Sequence, residues 1–249
     1  MKRIFWHKLN SIIIFIISIV KKDFIEKNDP SPLDHLKANA AKESYELFKE
    51  KMGNAMIFPY RPDMREFVIR EAKAIQPSKL LCDEPLFLEF GVAGATSTNH
   101  FAKLLSNTNE KIYGFDAFLG LQEDWVGMHR GRTAGAYSYH GDLPKVLNNV
   151  ELVVGWLQDT LSDFLNSKQE QKIVFAHFDM DTYLPGKFGL EMIKPYLVCG
   201  SIILFDDFYG FPGWKNSDFK SLNEIFNTDE YEFIAFSHTA AAIRILKSS

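Results

Sequence analysis

The stretch Leu86-Phe87-Leu88-Glu89-Phe90-Gly91-Val92-Ala93-Gly94-Ala95-Thr96-Ser97 decides how the rest of the chain is read. Its first five residues are apolar apart from Glu89 and read as a short buried strand. Two glycines then open a turn, and a helical pattern begins near Ser97. Strand, glycine turn and helix in that order open a βαβ unit, and sheets built from such units bind ligands at the carboxyl ends of their strands. Glycines there let backbone come close to a ligand. The spacing is G-x-x-G rather than the G-x-G-x-x-G that cradles a pyrophosphate. Glu89, just ahead of the first glycine, suits a cationic ammonium or sulfonium group better than a diphosphate. A second strand ends at Phe115-Asp116, 27 residues after Glu89. A carboxylate there can accept from both hydroxyls of a ribose.

Downstream, short apolar runs alternate with helical stretches. Strands are expected at 86–90, 111–115, 150–154, 173–178, 201–205, 231–236 and 241–246, with helices at 97–106, 160–167, 187–196 and 217–226. The alternation predicts an α/β fold, a doubly wound and mostly parallel seven-stranded sheet of Rossmann-like type. Only Ser237-His238-Thr239-Ala240 join the last two strands, too few for a parallel crossover, so the sheet should end in an antiparallel hairpin. Upstream, the breakers Asp29-Pro30-Ser31-Pro32 precede helices expected at 33–51 and 63–75. The expected division is therefore a hydrophobic helix and linker over 1–29, a helical cap over 30–80 and a cofactor-binding domain over 81–249.

Composition sets the limits. The 249 residues hold 46% apolar and 24% charged residues, a globular balance that excludes a disordered chain, a collagen-like fibre and a multi-span membrane protein. With 28 basic against 32 acidic residues the net charge is −4, so a nucleic-acid partner is not expected. Two cysteines, Cys82 and Cys199, cannot build a disulfide framework, and a reducing cytoplasmic setting fits best. Residues 11–20 (SIIIFIISIV) are almost wholly apolar between basic flanks, about half the length of a spanning helix. Three readings stay open there: a helix packed on its own body or on a homodimer mate, a helix in peripheral contact with a membrane, and a signal segment.

Acids gather at two further strand ends. The run 173–178 continues as Asp179-Met180-Asp181-Thr182-Tyr183, and 201–205 runs into Asp206-Asp207-Phe208-Tyr209-Gly210. Neighbouring strands would bring these carboxylates within a few ångströms, where like charges raise one another's pKa unless a cation joins them. Carboxylates without Cys or His partners favour a hard divalent cation such as Mg²⁺, with Asp179, Asp206 and Asp207 the expected ligands and Asp181 beside them.

The stretches LEFGVAGATS, YGFDAFLGLQEDW, ELVVGWLQDTL, HFDMDTY and LFDDFYGFPGW lie in order between residues 86 and 214. In them the chain resembles the class I S-adenosylmethionine-dependent methyltransferases, specifically the macrocin O-methyltransferase-like family. The resemblance implies that Glu89, Gly91 and Ser97 line the methionine end of the cofactor, that Asp116 holds its ribose, and that Gly155 and Trp156 approach its adenine. It implies magnesium at Asp179, Asp206 and Asp207, and a hydroxyl of a sugar, glycan or glycosylated metabolite as acceptor. The chain departs from the family at Ala95, at Gly120-Leu121-Gln122 where a G-L-P is usual, and at Ser237-His238-Thr239, where some members carry an Asp. The general base is therefore left between His238 and Asp181, while His177, inside a strand, reads as packed. Two rival classes are a glycosyltransferase using Asp179-Met180-Asp181 as a metal-binding D-x-D, and a non-catalytic cofactor-binding scaffold. Binding of a nucleotide sugar would favour the first, and cofactor binding without turnover the second.

Overall fold

The computed structural model describes residues 30–75, 84–107, 109–127, 132–168 and 171–247. Residues 11–20, with their three readings, lie outside these. Among the described residues no helix is long and apolar enough to cross a membrane.

The chain divides after Asn39 into two compact units. The described part of the first unit is the opening of helix α1 (Pro32–Gly53). Ser31 starts that helix. Its Oγ donates to Asp34 at 2.7 Å, and the Asp34 N–H returns a bond to Ser31 Oγ at 3.2 Å, a reciprocal cap of the first turn.

The second unit, Ala40–Ser249, takes in the rest of α1 and everything after it. Here α1 buries Ala40, Ser44 and Phe48, one residue per turn along a single stripe. The Phe48 ring lies 5.4–6.0 Å from the rings of Phe208, Tyr209, Trp214, Phe219, Phe233 and Phe236. A two-residue strand, β1 (Met56–Ile57), follows, and then α2 (Arg61–Lys73), with proline in its first turn, where the missing N–H costs nothing. Its buried stripe is Met64, Val68, Ile69 and Ala72.

The remaining elements are β2 (Leu86–Phe90), α3 (Thr96–Leu105), β3 (Ile112–Asp116), β4 (Val150–Val154), α4 (Leu157–Ser167), β5 (Ile173–Phe178), α5 (Tyr183–Ile193), β6 (Leu197–Phe205), α6 (Asp218–Ile225), β7 (Tyr231–Ser237) and β8 (Ala240–Ile245). They form one eight-stranded sheet in the order β1-β7-β8-β6-β5-β2-β3-β4. Only the pairings of β8 with β6 and β7 are antiparallel, as the short connection demands. The expected seven strands are all present. The eighth, β1, pairs with β7 through just Met56↔Ala235 and Ile57↔Phe236, and both its side chains are exposed. Two residues carry no alternation, so only the partner edge defines that strand. Two elements start four residues earlier than the sequence suggests. Pro185 and Gly186, ahead of the helix expected from residue 187, sit inside the first turn of α5, and Gly200, at φ +107°, lies within β6 instead of ahead of it.

Strands β2 and β5 are buried along their whole length at the middle of the sheet. The order reverses between them, since β3 and β4 lie on one side and β6 on the other. Such a reversal opens a crevice at the carboxyl ends of the strands.

Candidate active site at the sheet reversal

The crevice is lengthened by backbone bonds that continue the ladder past the strands. Gly91 N–H donates to Phe115 O (2.9 Å), Asp179 N–H to Phe90 O (2.8 Å), Asp206 N–H to Phe178 O (3.0 Å) and Gly155 N–H to Asp116 O (3.0 Å). Five strand ends, those of β6, β5, β2, β3 and β4, are therefore locked side by side. Gly91 sits at φ +91°, and a Cβ there would lie 2.0 Å from the Asp179 carbonyl oxygen. Only glycine fits between the two central strand ends. Ala93, Ala95, Phe118, Asp181 and His238 also have positive φ, and all lie in loops at this edge of the sheet. Strain of this kind collects at functional sites.

A cavity of about 490 Å³ occupies the crevice. Gly91, Asp116, Gly155 and Trp156 line one part of it, and Asp179, Asp181, Asp206 and Asp207 another. The loop after β3 adds Leu121, Trp125, Arg132 and Tyr137. Asp116 Oδ2 accepts the N–H groups of Val92 (2.9 Å) and Ala93 (2.8 Å), and its Oδ1 accepts that of Phe118 (2.7 Å). With about two lone pairs on each oxygen, Oδ1 keeps one acceptor position open. The carboxylate both shapes the glycine turn and faces the cavity.

Glu89 and Ser97 do not line the cavity. Glu89 is fully buried and accepts a 2.9 Å bond from His177 Nδ1, directly opposite it in the β2–β5 register. Ser97 is buried in the first turn of α3. His177 also approaches Asp206 at 3.7 Å. Burial opposes a charge on this imidazole, but Asp206 and Glu89 outweigh it and raise its pKa to about 9. The expectation of a packed histidine agrees with its full burial, and the structure adds that it bridges two carboxylates.

The acids separate into two groups. Asp179, Asp181 and Asp207 each offer an oxygen, all within 4.8 Å of one another. Burial, then the charge of Asp206, raises Asp179 to about 7, and burial, then Asp179, raises Asp181 to about 9. Asp207 is raised as well, by burial, against a 2.6 Å bond from the Thr239 hydroxyl. Asp206 goes the other way. Burial pushes it up, but His177, Arg61 and Arg65 hold its carboxyl below the ordinary value. Arg61 donates to Asp206 Oδ2 at 2.6 Å and to the Thr239 hydroxyl at 2.7 Å, and lies 3.4 Å from Asp207 Oδ1. Arg65 stands 3.6 Å from Asp206 Oδ1. His238 is exposed and donates through Nε2 to the Pro59 carbonyl at 2.8 Å, away from the cavity.

Sequence reasoning passed over Arg61, Arg65 and Thr239. The two arginines are four residues apart, so α2 presents them on one face. That spacing was the available signal, whereas nothing local connects residue 61 with residue 206.

The family described as "Methyltransferase domain" matches residues 88–208, the segment that carries the crevice from β2 through Asp207. Residues 88–208 are a methyltransferase domain, in keeping with the methyltransferase resemblance of the sequence. This match favours the methyltransferase reading over the D-x-D glycosyltransferase one. Among solved structures, this methyltransferase is similar to CalS11, a calicheamicin methyltransferase (20% identity over 87% of this chain and 94% of that one, TM-score 0.60). It is also similar to the apo form of CalS11, described as a TDP-rhamnose 3'-O-methyltransferase (22% identity, 88% of each chain, TM-score 0.54). The O-methyltransferase NovP shares the fold too (14% identity, 86% of this chain and 98% of that one, TM-score 0.50). Comparison with curated proteins finds no significant match.

Proposed function

We propose that this methyltransferase moves the cofactor's methyl group to a hydroxyl of a sugar, glycan or glycosylated metabolite, with a divalent cation such as Mg²⁺ in the acid group. The observation that carries this reading is that one cavity's walls hold both the glycine turn with Asp116 and Trp156 and the aspartates at the ends of β5 and β6. Its volume suits a small-molecule pair.

The cofactor fits this chain's residues. Asp116 keeps an open acceptor for a ribose hydroxyl, and Gly91 brings backbone to the cavity wall. The cation fits as well. The donors are carboxylate oxygens, and the acids are pushed toward protonation by burial and by one another. Asp179 and Asp207 would hold it, and Asp206 would join them once Arg61 swings away. When bound, such an ion lowers the pKa of a coordinated hydroxyl. Asp181, within 4.8 Å of both, would take the hydroxyl proton at its carboxylate once the proton that burial and the neighbouring acids hold there is displaced by a cation beside it. The loop residues Leu121, Trp125 and Tyr137 close the cavity on its far wall and exclude water while the acceptor oxygen is aligned with the methyl group. The sugar acceptor named for CalS11 supports the substrate class.

The test is calorimetric titration with S-adenosylmethionine and S-adenosylhomocysteine, in Mg²⁺ and in EDTA, followed by a screen of glycosides for a mass gain of one methyl. Asp116→Ala should weaken cofactor binding first. Asp206→Asn should remove metal-dependent turnover and leave cofactor binding nearly intact. Equal loss of both properties in Asp206→Asn would overturn the metal assignment.

A further inference from the structure

The loop after β3 folds back on itself through bonds from Leu121 N–H to Ala136 O (2.9 Å) and from Trp125 N–H to Arg132 O (2.9 Å). That pairing sets Trp125 and Arg132 side by side on the cavity wall. The Arg132 guanidinium lies 4.3 Å over the Tyr137 ring and 6.0 Å from the centroid of Trp125. Its Nε–H is buried without an acceptor, and so is the indole N–H of Trp125. Among the described residues Arg132 makes no ion pair, whereas the other arginine on the wall, Arg61, is held by Asp206 and Asp207. Packing on Tyr137 accounts for the position of the guanidinium plane. It does not account for two orphaned donors on one wall, because buried donors without partners cost free energy. The complement of such a pair is a group rich in acceptors and negatively charged, and a guanidinium binds carboxylate and phosphate in a matching fork.

We propose that the acceptor bears an oxyanion, phosphoryl or carboxylate, next to the sugar that is methylated, and that Arg132 binds it with the indole N–H of Trp125. The proposal rests on the sugar O-methylation reading above and names its substrate class as anionic glycosides. The rest of the wall carries Asp116, Asp179, Asp181, Asp206 and Asp207. Without a cation these acids repel an oxyanion, and Arg61 is already held by Asp206 and Asp207, so among the described residues Arg132 is the unpaired guanidinium on the wall and a determinant of which end of the acceptor enters first.

The experiment is calorimetry on the full chain in EDTA, with and without S-adenosylhomocysteine, using pyrophosphate, methyl glucuronide and methyl glucoside as probes. Pyrophosphate stands for a nucleoside diphosphate sugar and the glucuronide for a uronate. At least one anionic probe should bind at a single site and more tightly than the neutral glucoside. Arg132→Gln should weaken it roughly 10- to 100-fold, the loss expected for a charged hydrogen bond. Arg132→Lys should recover part of that, Trp125→Phe should cost a smaller factor, and cofactor affinity should stay unchanged in all three. If Arg132→Gln fails to fold by circular dichroism, Trp125→Phe and Arg132→Lys carry the test. The inference is overturned if neither anion outbinds the glucoside, or if binding in Arg132→Gln stays within about two-fold of wild type. Methyl transfer to neutral glycosides unaffected by Arg132→Gln would also overturn it, leaving sugar O-methylation standing. A failure of cofactor binding is seen separately in the titrations without probe.

Discussion

Replacing Gly91 with alanine would set a methyl carbon 2.0 Å from the Asp179 carbonyl oxygen and 2.7 Å from its carbonyl carbon, on a backbone at φ +91°. Two costs follow. An L-residue in the left-handed region costs about 1–2 kcal/mol. The clash is with backbone, and ordinary contact begins near 3.4 Å, so the turn or the end of β5 must yield by roughly 1.4 Å. Overpacking of that kind costs about 1–3 kcal/mol, for a total of about 2–5 kcal/mol. In a chain of this size that lowers Tm by roughly 5–15 °C. Gly141 supplies the control. It has φ +86° and nothing within 4 Å of an added Cβ, so Gly141→Ala meets only the backbone cost. Urea unfolding of wild type, Gly91→Ala and Gly141→Ala separates strain from clash. Titration with S-adenosylhomocysteine then reads the effect on the turn, with affinity lost in Gly91→Ala and kept in Gly141→Ala. Equal stability in the two variants, or full cofactor affinity in Gly91→Ala, would refute the claim that this close approach shapes the cofactor turn.

Three further outcomes are expected. Arg61→Gln leaves Asp206 and Asp207 without their guanidinium, so the metal-free protein should lose stability and gain more from added Mg²⁺ than wild type in a thermal-shift assay; an unchanged Mg²⁺ response would show that Arg61 and the cation do not compete. His177→Ala strands the Glu89 carboxylate in the core and should cost about 3–5 kcal/mol in urea unfolding, and a loss below about 1 kcal/mol would mean the pair is not charged. His177 is raised from its ordinary 6.5 to about 9, so its contribution is complete below pH 6.5 and disappears as pH rises through about 9. Asp179 and Asp181, raised from 3.8 to about 7 and about 9, act in the same direction, because the folded state keeps protons that the unfolded chain releases near pH 4. Without divalent cations the protein should therefore unfold at lower urea at pH 9.5 than at pH 6.5, and the reverse order would contradict the buried charge network.

How much could be read from the chain alone varies by residue. The strand 86–90 and the acids at 179, 206 and 207 were legible because a buried strand ending in glycine or aspartate is a local pattern. The same pattern overstated Glu89. An acid ahead of a glycine turn looks exposed to the ligand, yet period-two alternation points residue 89 into the core, where His177 meets it. His238 was chosen for its turn and its chemistry, but the turn directs Thr239 inward and His238 outward to Pro59.

The sequence by itself determined the α/β alternation, the hairpin at its end and the clustering of acids at strand termini, since each depends on residues close in the chain. Only the tertiary structure decided which carboxylates share space and which are neutralised. Arg61 reaches Asp206 across 145 positions of sequence, and His177 reaches Glu89 across 88. Those pairings depend on sheet order and on the placement of α2, which hydrophobic burial sets over the whole fold and no local pattern records.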